Sequence, residues 1–245
     1  MKTYISKSVV AALALGFLQA CTDTGGTGAS AADPYEATNR KVHNFNKAAD
    51  RTVIGPVSEV YGKAVPGEVR ASVSNGVSNL ELPGDFINHV LQGDIQDAGE
   101  TFFRFALNST LGLGGLRDPA GDAGLYHRET NFGETLAIWG VREGAYLELP
   151  LAGPSSERDV VGKIVDFGID PVQYIVPSDV NNYLLGATVL DVANNRYEYR
   201  ALVNTLLYES ADSYSALRLS YLQNLARKTN GGITEDDLED PYADQ

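Results

Sequence analysis

Apolar residues recur every three or four positions through most of this chain and almost nowhere alternate, a pattern that predicts helices joined by irregular loops. The first series is Tyr35, Val42, Phe45 and Ala49, with Asn39, Arg40, Asn44 and Asn46 among its polar positions. Asp33 followed by Pro34 and Glu36 predicts the helix start, and Gly55-Pro56 predicts its end. In the next series, Val69, Val73, Val77 and Leu80 share one stripe, while Ser72, Ser74, Asn75, Ser78 and Asn79 make an almost uncharged polar face. A face without Glu or Lys predicts close helix packing, a wet cavity or an interface. Pro83-Gly84-Asp85 predicts a new helix carrying Phe86, Ile87, Val90 and Leu91, and Gly93-Asp94 breaks and recaps it. Ile95, Ala98, Phe102, Phe105 and Ala106 then form a stripe with Phe103 standing off it, the girth of a buried helix or of one lying at a membrane interface.

From Asn108 to Gly124 the chain is rich in glycine, and Arg117-Asp118-Pro119 reads as a turn. A short helix is expected from Gly133 to Trp139. Glycine and proline at both ends of the stretch from Gly140 to Pro154 predict an extended, hairpin-like loop with exposed apolar side chains, and Ser155 or Ser156 caps the helix that follows. Asp170-Pro171 opens a short helical piece ending at Pro177, and Ser178-Asp179 starts a long one that continues, bent, through Tyr197, Ala201 and Leu207. The last helix holds Tyr214, Leu217, Tyr221 and Leu225, with Arg227 and Lys228 at its C-terminal end. The class is all-α, with irregular Gly/Pro-rich loops and no internal repeat.

The N-terminus changes this picture. Lys2 and Lys7 precede an apolar run from Val9 to Leu18, too short to span a bilayer and apt for the core of an export signal. Directly behind it stands Cys21, the chain's single cysteine, in a Leu18-Gln19-Ala20-Cys21 setting that resembles a bacterial lipobox. Lipidation of Cys21 is expected, the rival being a cleaved signal that leaves a free thiol. Each buried acyl methylene contributes roughly 0.8 kcal/mol, and two chains already anchor a protein stably. Thr22, where Asp would retain a lipoprotein at the inner membrane, resembles the signal for shipment to the outer membrane. Residues 1–20 thus read as signal peptide, 21–32 as a flexible tether, 33–230 as one helical domain and 231–245 as an acidic, solvated tail.

The formal charge of the 245-residue chain is −13 and becomes two units more negative without the signal segment. That balance argues against nucleic acid and against electrostatic adhesion to anionic head groups. No metal spacing joins His43, His89 and His127, no G-x-S-x-G elbow is present, and the glycines lack the strand and helix that would make a phosphate loop. No cofactor is expected beyond acyl chains on Cys21.

Several blocks recur together: Asp33-Pro34-x-Glu36-x-x-Asn39-Arg40 with Phe45-Asn46, Asn88-x-x-Leu91-Gln92-Gly93, Arg104-Phe105-x-x-Asn108-Ser109-Thr110-x-Gly112-x-Gly114-Gly115, Phe132-Gly133-x-Thr135-Leu136, Trp139-Gly140-Val141-x-x-Gly144-x-Tyr146, and Leu149-Pro150-x-x-Gly153-Pro154-Ser155 with Arg158-Asp159. In this order, over about residues 33–228, they resemble the MlaA (VacJ) family of outer-membrane lipoproteins. Ala211-Asp212-Ser213-Tyr214 departs from the family's Asp-Pro-Tyr. The resemblance implies a ring of amphipathic helices in the inner leaflet of the outer membrane around a central channel. It also implies removal of stray phospholipid from the outer leaflet to a periplasmic carrier of the Mla pathway, association with a trimeric porin, and no enzymatic chemistry. A structural or adaptor lipoprotein that organises a porin or envelope complex is the alternative, and a lipid-acting hydrolase a third.

Two groups of residues are candidates for the passage of lipid. Gly140, Gly144 and Gly153 would let the segment between them hinge, with Tyr146, Leu147 and Leu149 touching acyl chains; a rigid hairpin is the competing expectation. Asn39, Arg40, Asn44 and Asn46 are expected either to contact head groups or to pack helices together.

Overall fold

The computed structural model describes residues 33–176 and 180–229. The signal segment, Cys21, the tether, the acidic tail, Pro177 and Ser178-Asp179 lie outside the described residues. Within them the protein is all-α apart from one small hairpin. Helix α1 (Glu36–Ala49) runs through a π turn (Asp50–Ile54) into α2 (Gly55–Ala64); α3 (Gly67–Gln92) and α4 (Ile95–Thr110) follow. Short helices α5 (Pro119–Asp122) and α6 (Phe132–Ile138) lead to strands β1 (Tyr146–Leu149) and β2 (Gly153–Ser156). Then come α7 (Glu157–Ile169), α8 (Val172–Ile175), α9 (Asn181–Glu198), α10 (Arg200–Asn204), a second π turn (Thr205–Glu209) and α11 (Ser213–Thr229).

Three local expectations are corrected. Asp33 does not cap α1: its carboxylate accepts the Tyr35 N–H at 3.1 Å in a turn before the helix and also receives the Asn39 amide and the Tyr214 hydroxyl. Gly55-Pro56 does not end the first helix. The π turn takes up an extra residue, the Gly55 N–H reaches Asp50 O, and proline sits in the first turn of α2, where its missing N–H costs nothing. Pro83-Gly84 does not open a helix either. It lies inside the 26-residue α3, where Leu82 is 1% exposed and bonds from Asp85, Asn88, His89 and Gln92 to neighbouring elements tie down the second half.

Other signals hold as read. Gly93 is left-handed at φ 79°, Asp94 caps α4 through the Asp97 N–H and Ser156 caps α7 in the same way; Asn131, which is not among the sequence signals named above, caps α6. Helix α3 is the hub. It packs along α4 and α9, and Asn88 and Gln92 each meet the Thr135 hydroxyl of α6 at 3.0 Å. Ser74 bonds Asp191, and Arg70 bonds Asn194 and Glu198, so the almost uncharged face of α3 is one of close helix packing. Helix α7 lies so close to α6 that a Cβ on Gly162 would strike the Gly133 backbone. At the far side, α1 packs on β1, and α11 on β2 and the second π turn.

Candidate functional site

The polarity of the fold is inverted. Among the described residues seven apolar side chains are buried, Leu82 and Ala120 most completely, against seventeen polar or charged ones. Meanwhile 29 large hydrophobic side chains are exposed, including Ile95, Phe102 and Phe103 on α4, Leu111, Leu113 and Leu116 in the glycine-rich loop, and Tyr183, Leu185 and Val189 on α9. Exposed apolar side chains here outnumber the buried ones. No described helix is long and apolar enough to cross a membrane. Helix α1 illustrates the inversion: Tyr35 and Phe45 of its apolar stripe are exposed, while Asn39 and His43 from its polar flank are 2% exposed.

That polar flank grips the hairpin. Asn39 gives its Nδ2 to Tyr146 O and takes the Glu148 N–H on Oδ1, both at 3.0 Å. Two turns on, Asn46 gives Nδ2 to Leu149 O at 2.9 Å and takes the Leu151 N–H at 2.7 Å. Each side-chain amide stands in for a peptide group of a missing strand, closing the edge of a two-stranded sheet that would be marginal alone. Between them His43 lies with Nδ1 3.4 Å from Glu148 and Nε2 3.0 Å from Ser213 of α11. The Tyr146 hydroxyl donates to Glu148 at 2.5 Å. Burial first, and then the neighbouring carboxylate, pushes that hydroxyl's pKa far above its ordinary value.

Of the residues expected to meet lipid, Tyr146 is therefore buried, 5% exposed, and occupied by a carboxylate; the expectation of an exposed apolar side chain there is corrected. Leu147 and Leu149 are half-buried, and Leu151 at the tip is the exposed one. Gly140, Gly144 and Gly153 all have positive φ, at 86°, 75° and 75°, which gives each a static reason to be glycine. Of the polar candidates, Asn39 and Asn46 bind the hairpin, Arg40 forks onto Asp212 at 3.0 and 2.9 Å, and Asn44 is exposed. Sequence reasoning missed His43, Glu148 and Ser213, although the spacing of Asn39, His43 and Asn46 marks a polar stripe at helical period.

The glycine-rich loop is tied at its base instead. Arg104, with its side chain 9% exposed, donates to Asp118 at 2.7 Å and to Leu125 O. Asn108 donates to Asp118 at 2.9 Å and accepts the Ala120 N–H at 3.1 Å. Burial works against a charge on Asp118, but Arg104, Asn108 and the Gly121 N–H outweigh it and hold the carboxyl below its usual range. Among the described residues no cluster of three or more His, Cys, Asp or Glu is arranged to hold a metal.

The chain is thus an all-α protein with buried polar networks and many exposed apolar side chains. A family model described as MlaA lipoprotein matches residues 31–228. The chain is 34% identical over 233 residues to the intermembrane phospholipid transport system lipoprotein MlaA of Escherichia coli (strain K12), covering 91% of this chain and 89% of that one. The MlaA of Haemophilus influenzae is 30% identical over 204 residues, covering 82% and 80%. An uncharacterized protein of Rickettsia felis is 35% identical over 187 residues, covering 76% and 73%. A solved structure reported as "Structural basis for maintenance of bacterial outer membrane lipid asymmetry" superposes with a TM-score of 0.66 at 34% identity, covering 79% of this chain and 96% of that one. This chain belongs to the MlaA lipoprotein family.

Proposed function

We propose that this protein is an outer-membrane lipoprotein, acylated at Cys21, that withdraws misplaced phospholipid from the outer leaflet and so maintains lipid asymmetry. The inverted polarity is the observation that carries the reading: exposed Ile95, Phe102, Phe103, Tyr183 and Leu185 suit acyl chains, while buried amides and hydroxyls hold the helices together. Support also comes from the MlaA relatives, whose names specify intermembrane phospholipid transport. In this reading the helices lie in the inner leaflet around an amphipathic channel. Lipid leaves through it to a soluble periplasmic carrier without covalent chemistry, and a trimeric porin holds the assembly in place. The hairpin from Tyr146 to Ser156 serves as a fixed wall, because Asn39 and Asn46 fasten its edge.

The test is a deletion strain complemented by the wild type or by Cys21→Ala. Surface phospholipid should accumulate in the deletion and the unacylated variant, with porin assembly normal. Porin trimers failing while asymmetry persists would favour the adaptor role, and fatty acid released from radiolabelled lipid by pure protein would favour a hydrolase.

A further inference from the structure

Both π turns of the described chain open on one cleft. Such turns make up well under 1% of residues in globular proteins and concentrate at functional sites. Asp50 and Arg51 reach the cleft from the first and Tyr208 and Glu209 from the second, with Arg196 and Asn204 beside them, around a volume of about 420 Å³. That is the size of a small-ligand pocket.

Its floor is an ion pair. Arg196 donates Nε and Nη2 to Asp50 at 2.7 and 3.0 Å, and the Tyr208 hydroxyl donates to the same carboxylate at 2.7 Å. Burial opposes the charge on Asp50, yet these partners hold its carboxyl below the ordinary value, so the floor is fixed and self-neutralised. Above it Arg51 and Glu209 line the cleft without meeting, while Lys47, 5.6 Å from the Tyr208 ring centre, is turned to the Ser213 hydroxyl at 3.0 Å and is not part of the lining. The Arg51 guanidinium lies 5.0 Å from the centre of the Tyr208 ring and, among the described residues, has no carboxylate partner. Glu209 has one oxygen held by the Thr205 hydroxyl at 2.9 Å and, among the described residues, no cation. Asn204 Oδ1 accepts from Arg196 Nη2 at 2.8 Å, which leaves its NH₂ group as a donor.

We propose that this cleft receives the head group of a zwitterionic phospholipid, with the phosphodiester on Arg51 and Asn204 and the ammonium on Glu209. The opposed, unmatched charges complement a head group whose own charges cancel, and an anionic lipid would leave Glu209 without a partner. Val53 and Val57, on the same run of helix as Arg51, are 58% and 51% exposed, and Leu202, next to the second π turn, is 59% exposed; they offer adjoining surface to the tails. The inference rests on the transport reading and names its preferred substrate.

The experiment uses the full acylated chain in non-ionic detergent, titrated calorimetrically with short-chain phosphatidylethanolamine, phosphatidylglycerol of equal chain length, and inorganic phosphate. The ethanolamine lipid should bind about fivefold tighter than the glycerol lipid, the scale of one partly exposed ion pair. Arg51→Gln should weaken both lipids, Glu209→Gln should weaken only the ethanolamine lipid and erase the preference, and Lys41→Gln should change neither. Equal binding of the two lipids by the wild type, a preference that survives Glu209→Gln, or displacement of lipid by phosphate alone would overturn the site. Cells that clear surface phospholipid despite such a result leave the transport reading standing, whereas failure to clear it in the wild type strikes that reading itself.

Discussion

The hairpin tip and the glycine-rich loop each force a leucine into the left-handed region, Leu151 at φ 64° and Leu113 at φ 56°, and both side chains are about two-thirds exposed. They differ in what holds them. Leu151 is fixed by the Asn46 amide of a distant helix, and the strand beneath it is bracketed by Asn39. Leu113 sits between Leu111 and Leu116, also exposed, in a loop anchored below by Arg104 and Asn108. Uncharged amides thus brace the hairpin along its length, whereas the loop is secured at its foot and presents apolar side chains outward. Exposed apolar side chains are therefore more numerous on the loop than on the hairpin.

Asn39→Ala should break this contrast most severely. It strips partners from Tyr146 O and the Glu148 N–H at a site 2% exposed, at a cost of about 4 kcal/mol, read by denaturant unfolding. An unchanged midpoint would mean the hairpin needs no brace. Arg104→Met should cost about 3 kcal/mol by removing the only cation that Asp118 has among the described residues, while Asn108 and the Gly121 N–H remain, with hydrogen exchange rising in the loop and staying constant in the hairpin. If the hairpin exchanges faster too, the two regions are one cooperative unit.

The pH dependence sharpens the same point. Asp118 titrates lower in the fold than the roughly 3.9 of a free aspartate. Its contribution is complete above that unfolded value and is lost as pH falls through the lower folded one. Loop protection should decline with acid in the wild type and be nearly flat over the same range in Arg104→Met. Smallest is Leu113→Gly, set beside Leu151→Gly. Each relieves left-handed strain and should alter stability by no more than about 1 kcal/mol. Only the loop variant should slow removal of surface phospholipid, and an equal loss in both would erase the functional difference.

What was legible in the sequence was local. Gly93-Asp94 and Ser156 announce their turns and caps because the bonds close within four residues. The hairpin announced its position by its glycines and prolines, but not which way Tyr146 faces, since that depends on Glu148 and Tyr214 around it. Pro83-Gly84 and Gly55-Pro56 misled because packing by Leu82 and a π turn outweigh their helix-breaking tendency. The first π turn itself has no local signature; it is stabilised by Asp50 pairing with Arg196, 146 residues away. The polar stripe on α1 was visible, yet its partners lie more than 100 residues downstream and periodicity cannot reveal them.

That separation has a consequence for biogenesis. Asn39 waits for Tyr146, 107 residues further along, and at roughly 5–20 residues per second a nascent chain needs on the order of ten seconds to supply it. Phe45 of α1, and later Phe102 and Phe103 of α4, are made within that interval, and all three are exposed in the finished fold. The apolar flanks of α1 and α4 are therefore made before the hairpin that fastens α1.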